Sequence, residues 1–381
     1  MSRFLSVVIK PTLACDMGCR HCYHSPEEMS SGARISFERL ERLFSMLSRE
    51  YDSVWFVWHG GEPLSMPLSF YRKVLDMQER IFGPRRYGNT VQTNGAAVDR
   101  KFIKFCKEKE INIGISHEGP CNHVLRPDGA AVEKRIIEMA DKERVFSVSS
   151  TIAKEDQDRQ AEIYRHFRDI GTAVSINPVL PLGCASCRKE LIPDPEAYIR
   201  SSIEAFDEWF TDPEARVPLI PHYLYLLSAL GDPQGSDCAH SSCLTKWLCM
   251  YPNGDLYPCA KPCPQSMRMG NIDSIRSISE AFRSDGFAEI LKGTIARREK
   301  CASCELFRFC QGGCSIDALA EGGMEDNGGD SCRIYRGIFS HVKKCVDEVI
   351  SEKKDLSAYN PFVRDAVLGK LVNPAMDNFY Q

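Results

Sequence analysis

Phe4-Leu5-Ser6-Val7-Val8-Ile9 gives way, after Lys10-Pro11-Thr12-Leu13-Ala14, to Cys15-Asp16-Met17-Gly18-Cys19-Arg20-His21-Cys22. The first run is a strand by composition. The second is a C-x3-C-x2-C loop placed directly after it. Three thiolates at this spacing can wrap three irons of a cubane and leave the fourth iron without a protein ligand, which makes it a chemical site. Zinc is the rival occupant. A structural zinc site wants four ligands, which His21 or His24 could complete, but the x3-x2 spacing is unusual for it.

Outward from this loop, short β-rich runs alternate with helix-periodic segments. Ser36 to Arg49 sets Leu40, Leu43, Phe44 and Leu47 on one helical face, and Val54 to Trp58 reads as the next strand. Phe70 to Ile81, Arg100 to Lys109, Glu133 to Lys142 and Ala161 to Asp169 read as helices. Thr90 to Gln92, Ile111 to Ile115, Val145 to Ile152 and Ala173 to Ile176 read as strands. Such alternation implies a parallel sheet with helical crossovers, an open doubly wound sheet or a barrel, with active-site loops at the C-terminal ends of the strands. The informative residues sit there. The cysteine loop follows the first strand, His59 to Pro63 the second, Gln92 to Gly95 the third, and Ser116 to Pro120 the fourth.

After Pro178 the pattern changes. Pro193 to Phe210 reads as a helix, the chain from Asp237 becomes rich in Cys, Gly and Pro, and His341 to Lys353 is helical. The expected organisation is a barrel-type domain over 1–190, a helical linker over 191–236, a small cysteine-rich domain over 237–345, and a helix end and tail over 346–381.

Composition narrows the class. The 381 residues are 43% hydrophobic and 26% charged, as in ordinary globular proteins. No apolar run approaches the ~20 residues that span a bilayer, and no secretory signal precedes the first strand, so a cytoplasmic protein without membrane attachment is expected. A formal net charge of −4 argues against a nucleic-acid partner. Eighteen cysteines in a chain long enough to bury its own core point to metal ligands or redox groups rather than to disulfide staples.

On these residues the chain resembles the radical S-adenosylmethionine (SAM) enzymes, whose signature is such a cysteine loop. The resemblance implies a partial (β/α)6 TIM-type barrel and a [4Fe-4S] cluster on Cys15, Cys19 and Cys22. In that family the open iron chelates SAM, which is cleaved to a 5′-deoxyadenosyl radical that abstracts hydrogen. His21 stands where the family has an aromatic residue near the adenine. Gly60-Gly61-Glu62-Pro63 resembles the family's GGEP motif, which receives the SAM amino group. Gln92, Thr93, Asn94 and Ser116 fall in loops that resemble those lining the cofactor, and Arg126 falls where a family arginine meets the SAM carboxylate, a pairing suited to a guanidinium.

Downstream, Cys238, Cys243, Gly254, Cys259, Cys301, Cys304, Cys310, Cys314 and Cys332 follow the order of the SPASM pattern. The resemblance implies two auxiliary [4Fe-4S] clusters, on Cys238, Cys243, Cys259 and Cys314 and on Cys301, Cys304, Cys310 and Cys332, with Cys249 a rival for the first. Three clusters in all are then expected. Cys184 and Cys187 lie near the expected mouth of the site.

SPASM enzymes chiefly modify peptides and proteins, drawing electrons from a reduced flavodoxin or ferredoxin. Sulfatase maturases resemble this chain, but they carry an aspartate base after the cysteine matching Cys259, where this sequence has Ala260, and alanine cannot take a proton. The string Trp58-His59-Gly60-Gly61 is instead similar to that of peptide cross-linking maturases. The expectation is therefore a peptide maturase that installs a carbon–carbon or thioether cross-link, with His59 as base or substrate contact and Tyr23 and His24 beside it. Formylglycine formation is the alternative, and an iron–sulfur electron carrier is the alternative of another class.

Overall fold

The computed structural model describes residues 3–84, 86–127, 129–140, 146–231, 238, 240, 243–352 and 354–369. The expected helix and strand ends at Lys142, Val145 and Lys353, the boundary residue Asp237 and the tail from 370 onward lie outside them. Among the described residues there are ten strands: β1 (Phe4–Ile9), β2 (Ser53–Trp58), β3 (Tyr87–Thr93), β4 (Ile111–Ser116), β5 (Phe146–Ile152), β6 (Val174–Pro178), β7 (Leu219–Ile220), β8 (Trp247–Met250), β9 (Asp255–Tyr257) and β10 (Gly270–Asn271). The chain divides into two compact units, Met1–Ile115 with Leu182–Cys184 and Ser242–Ala296, and Ser116–Pro181 with Ala185–Ser241 and Arg297–Gln381.

In the first unit β1, β2, β3 and β4 lie side by side in chain order, all parallel, with Val7 opposite Phe56, Trp58 opposite Val91 and Gln92 opposite Gly114. Alternation along β2 buries Val54, Phe56 and Trp58. The helix Phe37–Glu50, capped by the Ser36 hydroxyl, covers the sheet with Leu40, Leu43, Phe44, Met46 and Leu47. Its polar face is used as well. Arg39 pairs with Asp273 at 2.7 Å, Arg42 donates to the Ile272 and Ile275 carbonyls, and Glu50 accepts from the Ile278 and Ser279 amides. These contacts fasten the helix to the late segment 252–279. That segment supplies the antiparallel strands β9 and β10, and just before it β8 pairs in parallel with the outer edge of β1.

In the second unit β5, β6 and β7 are parallel neighbours. The helices Gln160–Ile170, Pro195–Phe210, His222–Ala229 and Asp330–Ser351 bury Phe167, Phe206, Trp209, Tyr223 and Phe339. This parallel α/β architecture is the expected fold class. Among the described residues no helix is long and apolar enough to cross a membrane.

Candidate active site

The cysteine loop leaves β1 and turns at Gly18. Cys15, Cys19 and Cys22 are partly buried, and burial pushes the Cys15 thiol upward and that of Cys22 to about 11. The loop is held from the next strand. Gly61 N–H donates to the Thr12 carbonyl at 3.0 Å and Glu62 N–H to the Ala14 carbonyl at 2.9 Å. A Cβ on Gly61 would sit 2.2 Å from the Leu13 oxygen and 2.3 Å from the Ala14 oxygen, so only glycine permits this approach.

Glu62 then links three loops. Its buried carboxylate accepts from Leu64 N–H at 2.8 Å, from the Thr93 hydroxyl at 2.7 Å and from Asn94 N–H at 2.8 Å. Burial raises its pKa, against the lowering effect of these three donors. Asn94 Nδ2 in turn lies 4.0 Å from Cys15 Sγ, and the Gln92 amide oxygen lies over the Cα of Gly114, where a side chain would meet it. His21 sits half-buried between Cys19 and Cys22, whose backbones close a 3.3 Å hydrogen bond around it. Cys15, Cys19, Cys22, His21, His59, Gly60, Gly61, Glu62, Gln92, Thr93 and Asn94 thus belong to one unit.

Ser116 and Arg126 belong to the other unit. There Arg126 Nε bonds both oxygens of Glu118, at 2.8 and 3.1 Å, as a nearly buried ion pair.

His59 closes β2. Its Nδ1 accepts the Gly60 N–H at 2.7 Å and lies 2.8 Å from the Tyr23 hydroxyl, which assigns the proton of the neutral ring to Nε2. Burial, with Lys10 and His24 beside it, depresses its pKa to about 3. Tyr23 is pushed well above its ordinary range, again by burial. His24 bonds Glu28 at 3.3 Å. Cys184 lies against the cysteine loop: its N–H donates to the Cys22 carbonyl at 2.8 Å and its Sγ lies 3.3 Å from the His24 carbonyl. Cys187 is exposed.

Of the downstream cysteines, Cys243 and Cys259 belong to the first unit with Cys249 and Cys263, while Cys238 and Cys314 belong to the second. Cys301, Cys304, Cys310 and Cys332 gather in the second unit, each within the electrostatic reach of the others. Their loop is built around Arg297, which is buried. Its guanidinium donates to the Gly312 carbonyl at 2.7 Å, the Gly313 carbonyl at 3.1 Å and the Ser315 hydroxyl at 2.9 Å, and also reaches the Met324 carbonyl. Gln311, Gly312 and Gly313 all take positive φ, the left-handed turn that two glycines make accessible. Replacing Arg297 with methionine strands these carbonyls and is expected to cost about 3 kcal/mol or more. The checks are a lowered unfolding midpoint and loss of cluster iron, with Arg297→Lys intermediate because a lysine cannot fork.

The donor set fits iron–sulfur chemistry better than zinc. A tetrahedral zinc holds its sulfurs about 3.8 Å apart, given its bond lengths of ~2.3 Å. Among the described residues the convergent triad of possible ligands, within 4.8 Å of one another, is Asp207, His341 and Cys345, not any set of the clustered thiols. Sequence reasoning missed two residues at this site. Lys10 is buried and Tyr251 half-buried, with Lys10 Nζ 2.8 Å from the Tyr251 hydroxyl and 5.5 Å from the centre of the Tyr23 ring. Their one signal is a cation ending an apolar strand just before Pro11.

A parallel α/β sheet whose strand ends carry a thiol-rich loop latched to a Gly-Gly-Glu turn, joined to a second cysteine-rich region, defines a cofactor-dependent redox enzyme. Residues 9–153 match the model of the radical SAM superfamily, and residues 238–305 match that of the SPASM iron–sulfur cluster-binding domain. The chain is 26% identical over 358 residues to the cysteine-type anaerobic sulfatase-maturating enzyme of Clostridium perfringens, covering 89% of this chain and 96% of that one. It is 26% identical over 377 residues to the serine-type enzyme of Klebsiella aerogenes, covering 94% and 87%. Native anSMEcpe with bound AdoMet superposes with a TM-score of 0.79 at 25% identity, covering 92% of this chain and all of that one. The chain is a radical SAM superfamily enzyme with a SPASM domain, homologous to the anaerobic sulfatase-maturating enzymes.

Proposed function

We propose that this enzyme oxidises one side chain of a protein or peptide by hydrogen-atom abstraction. Of the two substrate classes expected from the sequence, the relatives favour a sulfatase over a cross-linked short peptide. The observation that carries this reading is the match to maturases along 89% of the chain and 96% of the relative. The cross-link reading keeps one specific observation in its favour: Ala260 stands where the resemblance puts the aspartate base.

Cys15, Cys19 and Cys22 are proposed to hold the SAM-binding [4Fe-4S] cluster. The two auxiliary clusters are proposed on Cys238, Cys243, Cys259 and Cys314 and on Cys301, Cys304, Cys310 and Cys332. When bound there, the cluster and SAM would supply, on reduction, the radical that removes the hydrogen atom. His21, Gly60, Gly61, Glu62, Gln92, Thr93, Asn94, Ser116 and Arg126 are assigned to the SAM side. A reduced flavodoxin or ferredoxin is the proposed electron donor, and the cytoplasm the proposed compartment.

The chain's own residues hold and orient. The Glu62 bridge to Thr93 and Asn94 fixes the loops after β2 and β3 against the cysteine loop. His59, neutral because its pKa lies near 3, presents an Nε2–H and is held by the Tyr23 hydroxyl and Gly60. That geometry suits a substrate contact better than a resting base, since a base near neutral pH needs a higher pKa.

Two measurements test this. A sulfatase-derived peptide with a central Cys or Ser is incubated with reduced enzyme and SAM, and the product is probed with a carbonyl-trapping reagent. A trapped aldehyde supports the sulfatase reading. Loss of two hydrogens with no carbonyl, and fragmentation showing an internal bond, moves the assignment to cross-linking. In His59→Gln, 5′-deoxyadenosine formation is expected to persist while peptide product falls about 100-fold. Equal loss of both would place His59 in cofactor binding instead.

A further inference from the structure

Lys10 is fully buried, yet among the described residues no carboxylate lies within ion-pair distance of it. Its Nζ makes one hydrogen bond, to the Tyr251 hydroxyl at 2.8 Å, and lies 4.0 Å from the centre of the Tyr251 ring and 5.5 Å from that of Tyr23. An ammonium removed from water needs compensating negative charge, and one neutral hydroxyl does not supply it. Burial lowers its pKa accordingly.

The strand pairing shows where that charge can come from. Lys10 N–H donates to the Met250 carbonyl at 2.9 Å, which fixes it beside the end of β8. The β8–β9 pair sets Cys249 opposite Tyr257, and Cys259 follows two residues later. Val8, Cys249 and Tyr257 pack into one cluster with Tyr251, Ala260 and Cys263. The groups whose negative charge acts most on Lys10 are Cys249, Glu28, Cys259 and Cys263. Glu28 is committed elsewhere, to His24 and to the Ser25 amide. The remaining three are thiols, gathered at the end of β8 and in the turn after β9.

We infer that Lys10 is the counter-cation of the auxiliary iron–sulfur centre on Cys259, placed to favour its reduction. The inference rests on the proposed role of Cys259 as a cluster ligand. Thiolate on iron gives Cys259 the negative charge that the buried ammonium otherwise lacks. A one-electron reduction adds a further negative charge to the centre, and a fixed cation beside it stabilises the reduced form. This suits a centre that takes up the electron left on the substrate after hydrogen abstraction. Lys10 is then a positioning residue, acting on the substrate only through the cluster.

The test is an anaerobic redox titration of the holoenzyme, followed by electron paramagnetic resonance, for wild type, Lys10→Gln, Lys10→Met and Lys10→Arg at matched iron content. Lys10→Gln and Lys10→Met are expected to move one auxiliary signal to a more negative midpoint potential, leave the signal of the Cys15, Cys19 and Cys22 cluster in place, and keep it able to cleave SAM. Lys10→Arg retains the charge and is expected to keep the wild-type potential. Should the neutral variants lose auxiliary iron that Lys10→Arg retains, the same charge requirement is supported. An unmoved potential in iron-replete Lys10→Gln and Lys10→Met overturns the inference. Retention of the auxiliary signal in Cys259→Ala, by contrast, overturns the ligand role of Cys259 and the inference with it.

Discussion

Cys19→Ala is expected to abolish reductive cleavage of SAM while leaving most of the fold intact. Cys19 is the middle thiol of the loop, and a cubane held by two thiolates has lost the chelation that three provide on one turn. The side chain is only partly buried, so its removal leaves little cavity. Iron is expected to fall from about twelve to about eight per chain, since four irons make one cubane. In anaerobically reconstituted enzyme, 5′-deoxyadenosine should drop to background and the auxiliary signals should remain. Retention of cleavage would mean that the loop is not the SAM site.

Gly61→Ala is expected to part the loops of the site directly. Its new Cβ would enter two backbone carbonyls at 2.2 and 2.3 Å, and backbone cannot swing aside as a flexible side chain can. Relief requires the loop after β2 to part from the cysteine loop, breaking the Gly61–Thr12 and Glu62–Ala14 hydrogen bonds and disturbing the Glu62 bridge to Thr93 and Asn94. The cost is expected to be about 3 kcal/mol. Thermal unfolding and iron content should both fall. Gly328→Ala, where a Cβ meets nothing within 4 Å, should change neither and serves as the control.

The elements that carry the site were legible because they are local. β1 and the C-x3-C-x2-C loop needed only composition and spacing, and the alternation of β2 or the single face of Phe37–Glu50 sufficed for strand and helix. Ser36 caps that helix one residue before its start, as its residue type suggests. Legibility ended where structure is set by distant partners. β8, β9 and β10 span four, three and two residues, too short for any period to show, and exist because β1 offers an open edge. The helix Asp330–Ser351 was read only from His341, although its buried stripe already begins at Tyr335, Ile338 and Phe339.

The site divides in the same way. The Gly-Gly-Glu turn was found by motif, yet that Glu62 spends its oxygens on Leu64, Thr93 and Asn94 could not be read without the fold. Arg126 reads from the sequence as a partner of the SAM carboxylate; in the structure its guanidinium pairs with Glu118, a contact no motif announces. Lys10 gives no sequence sign of burial, since a lysine ending a strand is ordinarily exposed. The preference for cross-linking rested on His59 and Ala260, two residues read by likeness. The relatives, matched along most of the chain, outweigh that preference in favour of sulfatase maturation without accounting for Ala260.

The most direct test is to reduce the anaerobically prepared enzyme in the presence of SAM and quantify 5′-deoxyadenosine. Its formation, dependent on reductant and on the three loop cysteines, is the predicted result. Iron-replete, reduced protein that leaves SAM intact would contradict the assignment at its root.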